Sequence, residues 1–373
     1  MKSKKRLVNY DFLKIVSMLM IVSLHYFGFE DVIETIKISD RNYCFVWILE
    51  ILCLVSVNCF ILISGYLMTN NSFRISKLIN LWIQIVFINI CCLIFVVFTG
   101  NIEGGYLKPL IKAIFPIIAN TYWYMSSYFL FYIISPFLIW IVKRLNITQL
   151  RKIVFVCLVL FTLVPIDWTK IQNGYSFVWF VILFFFAAYI RKSEKFSKKS
   201  SKYFALYLLA SAVTFVIKLI CDFAVNRLGF ADSEFSKIGS HFCFYNSFFI
   251  VLASVFLFLA FKNIDIKNLV AQKVLNKISS LTLGVYLIHL NPFVRDCIWK
   301  TIVAPKKYID SPLLAVHFII SIISVFAVCS AIEWLRQLLF KLLHIEHLSV
   351  FIGDKIEKVL KSLFYNKKLF DKL

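Results

Sequence analysis

Apolar stretches of about twenty residues recur along the chain, separated by short polar and basic links. In helical form such a stretch spans the roughly 30 Å hydrocarbon core of a bilayer. The pattern predicts about ten spans, at 8–29, 43–68, 78–99, 121–142, 153–166, 175–190, 203–221, 241–261, 279–298 and 312–335. The fifth is short and ends at Pro165. The expected fold is an all-α polytopic membrane protein, with a membrane domain over 1–335 and a tail over 336–373. In the tail, Ile356, Val359, Leu360, Leu363 and Phe364 share one helical face, and Lys355, Lys358 and Lys361 fall elsewhere. That pattern predicts a basic amphipathic helix lying on the cytoplasmic membrane surface. No internal repeat stands out.

Composition agrees. The chain is 61% hydrophobic with a mean hydropathy of +0.82, against about 45–50% apolar residues in a soluble domain. A formal charge of +21 would suggest nucleic acid in a soluble protein. Here 28 of the 41 basic residues fall in alternate links, KRLNITQLRK and RKSEKFSKKSSK foremost. That is the positive-inside pattern, and it predicts an even number of spans with both termini cytoplasmic. No nucleic-acid partner is expected. The ten cysteines lie mostly inside apolar runs and form no CxxC pair, so they read as small buried hydrophobes. The basic start, MKSKKR, precedes an apolar run without a small-residue cleavage site, and it is expected to be retained.

The first span carries three ionisable groups, Asp11, Lys14 and His25. Eleven helical steps make about three turns, so Lys14 and His25 share a face roughly 16 Å apart along the axis. Asp11 is one turn from Lys14 and can pair with it. A charge facing lipid at a helix centre costs roughly 2.5–3.5 kcal/mol, which points this stripe at a protein interior or polar cavity. An imidazole there is either a hydrogen-bonded interfacial group or a base able to deprotonate a hydroxyl. Arg74 and Lys77 follow the second span, as ordinary flanking charges or as a cradle for phosphates. Ser64, before Gly65, is an acyl carrier or a packing residue. Trp123 and Tyr124 belong to an interfacial aromatic belt or stack on a sugar. Glu50 lies within the second span and His289 within the ninth, both as candidates to line a site. Glu333 and Arg336 read as an ion pair. His344, Glu346 and His347 are too few to claim a metal, and none is expected.

Several of these segments together resemble acyltransferase family 3. DFLK, ten residues, then His25 is similar to that family's first-helix signature of a basic residue, ten residues and His. NCFILISGYLM (58–68), YWYMSSYFLFYIISPFL (122–138), YLIHLNP (286–292) and AIEWLR (331–336) resemble its later segments, in order. The resemblance implies a ten-helix enzyme that takes an acyl group, usually acetyl from acetyl-CoA, on the cytoplasmic side. It implies delivery to a hydroxyl of an extracytoplasmic or lipid-linked glycan. His25 and Lys14 match the family's essential pair, and Arg74-Ile-Ser-Lys77 matches its Arg-x-x-Arg. Lys77 departs from that pattern, keeping the charge and losing the bidentate fork.

The expectation is an O-acetyltransferase of the bacterial cell membrane that modifies capsular or exopolysaccharide. Acyl-CoA is its donor and no cofactor is bound. A flippase, polymerase or transporter for envelope glycans is the alternative, and it calls for broken helices or charges in several spans. In-span charges concentrate instead in the first span, with Glu50 and Lys218 elsewhere.

Overall fold

A computed structural model describes residues 7–69, 73–100, 105–163, 172–193, 196–230 and 239–364. The basic start 1–6 and Pro165 lie outside them. The described residues are helical, with no strand among them. The principal helices are α1 (Val8–Gly28), α2 (Tyr43–Cys53), α3 (Val55–Met68), α4 (Ile75–Phe98), α5 (Trp123–Arg144), α6 (Ile147–Thr162) and α7 (Phe177–Lys192). They continue with α8 (Ser200–Arg227), α9 (Phe248–Lys262), α10 (Leu269–Ser279), α11 (Thr282–His289), α12 (Leu314–Leu342) and α13 (Ile345–Phe364).

Six segments are long and apolar enough to cross a membrane: α1 with its short extension to Thr35, α2 with α3, α4, α5, α8 and α12. Helices α6 and α7 have 16 residues each and α9 has 15. At about 1.5 Å per residue they rise only about 24 Å. Fifteen to sixteen residues fall short of the roughly twenty that span a bilayer upright.

Hydrogen bonds between helix ends sort the chain into two faces. On one face, Asn9 Nδ2 donates to the Phe261 and Lys262 carbonyls, both at 3.1 Å. There too Asn263 donates to Ser197 O at 3.0 Å, and Lys192 Nζ to Leu145 O at 2.9 Å. These links carry Lys143, Arg144, Arg191 and Lys192, so we call this the basic face. On the opposite face, Asn42 donates to Ser311 O at 3.0 Å and Asn246 to Phe161 O at 3.1 Å.

Span 279–298 does not form one helix. Helix α11 ends at His289, and a turn leads to the π-helical stretch Cys297–Val303. Asn291-Pro292 marks the break: proline has no amide hydrogen to continue a helix. Asn291 is fully buried at this break, so its side chain needs partners. Asn291 Nδ2 donates to Asn89 Oδ1 and to the Tyr122 hydroxyl, both at 2.8 Å. Trp299 Nε1 donates to the His289 carbonyl at 3.1 Å. The tenth span runs past 335 to Leu342, and the tail forms α13. Gly353 of α13 is seated on α4, where an added Cβ would lie 2.8 Å from Ser76 N. Leu348, Phe351, Ile356 and Val359 face outward. The side chains of Leu360, Leu363 and Phe364 lie outside the described residues.

Buried polar groups brace the bundle. Lys218 pairs with Asp222, which also accepts from the Tyr43 hydroxyl. The Lys218 ammonium lies 4.0 Å over the Trp47 ring. This in-span charge is therefore part of a structural brace between α8 and α2. Fully buried Asn58 ties α3 to α7 and α9: Trp179 Nε1 donates to its Oδ1 at 2.9 Å, and its Nδ2 donates to Ser254 Oγ on α9 at 3.1 Å and to Tyr245 O, just before α9, at 2.8 Å. Asn58→Ala is expected to cost about 1–3 kcal/mol, because the buried indole N–H loses its acceptor. Thermal unfolding in detergent measures this, and an unchanged melting temperature would contradict it.

Candidate functional site

The site begins on α1. Asp11 is buried and Lys14 Nζ lies 3.4 Å from its Oδ1. Ser279, at the end of α10, donates to the same oxygen at 3.0 Å. Three turns further along α1, His25 Nδ1 lies 2.9 Å from His289 Nε2. Lys14 and His25 line one cavity of about 540 Å³. Their shared face is thus turned inward, as the cost of charge in lipid requires.

The cavity is walled by α1, α3, α4, α5 and α11. Toward the basic face it is lined by Phe73, Lys77 and Tyr132; toward the other, by His25, Trp123 and Tyr124. Lys77 sits near enough to Arg74 for the two like charges to repel. Arg74 is not among the lining residues; its amide donates to the Tyr132 hydroxyl at 3.3 Å. Pro136 shapes this wall. It removes the amide that would bond the Tyr132 carbonyl, and Ser135 Oγ donates there instead at 2.7 Å. Tyr132 and Ser135 both line the cavity.

Ser64 lines the cavity within hydrogen-bond reach of Tyr128. Neighbouring Gly65 makes the close helix contact, since a Cβ there would lie 3.0 Å from Ala187 Cβ. At the far end the aromatic belt forms a connected shelf. Trp123 packs on Tyr175 with ring centroids 4.7 Å apart, and Tyr175 packs on Tyr245 at 4.7 Å. Tyr245, whose carbonyl is held by Asn58, also lines the cavity.

Two candidate lining residues stand behind the wall. His289 is fully buried and reaches the cavity only through His25. Glu50 is not among the lining residues; its Oε2 is buried with no hydrogen-bond partner. Sequence reasoning missed Gln84, Tyr128 and Tyr286, which line the cavity. Tyr128 was findable, one turn from Tyr124 on the same face. Gln84 is oriented from behind, donating to Glu333 Oε1 at 3.3 Å. Glu333 and Arg336 form the expected ion pair, with two bonds of 2.7 Å.

The histidine pair has a defined proton arrangement. A carbonyl oxygen only accepts, so His289 Nδ1 carries a hydrogen and donates it to Val285 O. His289 is fully buried, and in its neutral ring Nε2 is unprotonated. His25 Nδ1 then donates to that nitrogen, and His25 Nε2 is left as a lone-pair acceptor. A neutral imidazole of this tautomer is equipped to take a proton.

Residues 7–334 match the model of acyltransferase family 3, described as an acyltransferase domain. No curated protein and no solved structure matches the chain. The family match covers every residue that lines the cavity, from Lys14 to Tyr286. The chain belongs to acyltransferase family 3, as an acyltransferase built on apolar helices, six of its segments long enough to cross a membrane.

Proposed function

We propose that the chain is an O-acyltransferase of a bacterial cytoplasmic membrane. It moves an acyl group, acetyl by first choice, from acyl-CoA to a hydroxyl of a cell-surface glycan or its lipid-linked precursor. The single observation that carries this is the cavity with Lys77 toward the basic face and His25 toward the other. In this reading ten segments cross the membrane, and the basic face with both termini is cytoplasmic. The short helices cross by local thinning of the bilayer. The outward apolar side chains of α13 rest in the inner leaflet.

Lys77 and Arg74 hold the donor's phosphates at the cytoplasmic mouth. The acyl thioester threads past Lys14 to His25, which bridges the difference in depth between those residues. His25 Nε2 takes the proton of the acceptor hydroxyl. The hydroxyl oxygen bonds to the acyl carbon, the carbon–sulfur bond breaks, and the proton on His25 passes to the departing sulfur. Ser64 is left as a packing and lining residue, because no hydrogen bond joins it to either histidine. Trp123, Tyr124 and the shelf behind them offer flat apolar faces to a sugar ring.

The break after His289 is the one feature that favours the flippase or transporter reading. Purified protein in nanodiscs with acetyl-CoA and lipid-linked glycan separates the two. Release of free thiol, matched by O-acyl groups on the glycan, supports transfer. Glycan movement without thiol release would overturn it. In the same assay Lys77→Ala is expected to raise KM for acetyl-CoA about tenfold, the loss of one charge-assisted phosphate contact. Its kcat should change little, since Lys77 is remote from His25 along the cavity.

A further inference from the structure

We propose that His289 is a positioning residue: it fixes the tautomer and ring orientation of His25. The proposal rests on His25 acting as the base. His289 touches neither the cavity nor, therefore, a substrate. It is held at both ring and backbone. Nδ1 donates to Val285 O one turn earlier in α11, and the backbone carbonyl of His289 accepts from Trp299 Nε1 at 3.1 Å. The helix break just beyond is pinned by Asn291 on Asn89 and Tyr122. With its Nδ1 hydrogen committed, Nε2 of His289 presents one lone pair at a fixed place, 2.9 Å from His25 Nδ1.

That lone pair selects the His25 tautomer with hydrogen on Nδ1. In the other tautomer two lone pairs would face each other across 2.9 Å, with no donor between them. The selected tautomer leaves Nε2 unprotonated. When Nε2 gains the hydroxyl proton, the cation keeps its Nδ1 hydrogen on His289, which holds it without a second charge in the bilayer. The carboxylate that orients histidine in a catalytic triad is replaced by a neutral ring. Asp11 cannot serve, being bonded to Lys14 and Ser279 three turns away on α1.

Two measurements test this. The first is ¹⁵N NMR of protein labelled at its six histidines, with His25→Ala and His289→Leu spectra assigning the pair. The expected His25 pattern is a protonated Nδ1 and an unprotonated Nε2. It is readable in resting protein, whether or not acyl transfer occurs. The second compares His289→Leu with His289→Gln at matched melting temperature. Leucine supplies no acceptor, and kcat should fall roughly 10²–10⁴-fold, the range for a mis-set catalytic histidine, with KM for acetyl-CoA unchanged. Glutamine presents a carbonyl oxygen in place of Nε2 and should restore most of kcat. A His25 proton on Nε2 would overturn the proposal even if the enzyme transfers acyl groups. So would an unchanged kcat in the leucine variant, or equal losses in both folded variants. If His289→Leu does not fold, the glutamine variant and the resting spectrum still decide.

Discussion

Cells carrying His25→Ala are expected to make surface polysaccharide without O-acyl groups, at protein levels equal to wild type. The base supplies roughly 10²–10⁴-fold of the rate by accepting a proton as the new bond forms, and the other cavity residues offer no substitute of that kind. Lys14 is engaged with Asp11, and the tyrosines that line the cavity are weak bases. The substitution also strips His289 Nε2 of its donor. Leaving that buried nitrogen unpaired costs about 1–3 kcal/mol, so membrane levels must be matched before activity is compared. Proton NMR of the purified polysaccharide reads the result and identifies the acyl group and its position. Equal O-acyl signal in both strains would remove His25 from the chemistry. Absence of signal in both, with altered polysaccharide amount or chain length, would move the reading to a flippase or polymerase.

The sequence made some of this site legible and hid the rest for a physical reason. Asp11, Lys14 and His25 share one helix, so a 100° turn per residue was enough to place them on one face. The pairing of His25 with His289 joins positions 264 apart, and no local period encodes it. The run 279–298 looked continuous because apolar residues dominate it on both sides of Asn291-Pro292. The break after His289 draws its hydrogen bonds from distant residues, Asn89 on α4 and Tyr122 just before α5. Glu50 announced itself as an in-span charge, yet its carboxyl stands outside the cavity, because which face of a helix turns inward is set by its neighbours and not by its own sequence. The spans that fell short were likewise unreadable in length, since an apolar run does not say where the helix within it stops.

Gly284→Ala is expected to disable the protein through packing alone. A Cβ at this position would lie 2.3 Å from both Cγ and Oε2 of Glu333, well inside van der Waals contact. Glu333 cannot easily yield. It is 1% exposed and accepts from Arg336 through two bonds of 2.7 Å, from Gln337 at 3.1 Å and from Gln84 at 3.3 Å. Either the pair breaks, at about 3–5 kcal/mol for a buried ion pair that loses a partner, or α11 moves off α12. The second outcome carries His289, five residues along α11, away from His25, and shifts Thr282, Leu283 and Tyr286 in the cavity wall. Activity should therefore fall even in the fraction that folds. Glu333→Ala alone should also destabilise, because Arg336 is left without its carboxylate. In the double variant the clash is gone, so its loss in melting temperature should be smaller than the sum of the two single losses. Strictly additive losses would mean that Gly284 is required for some reason other than the approach of Glu333.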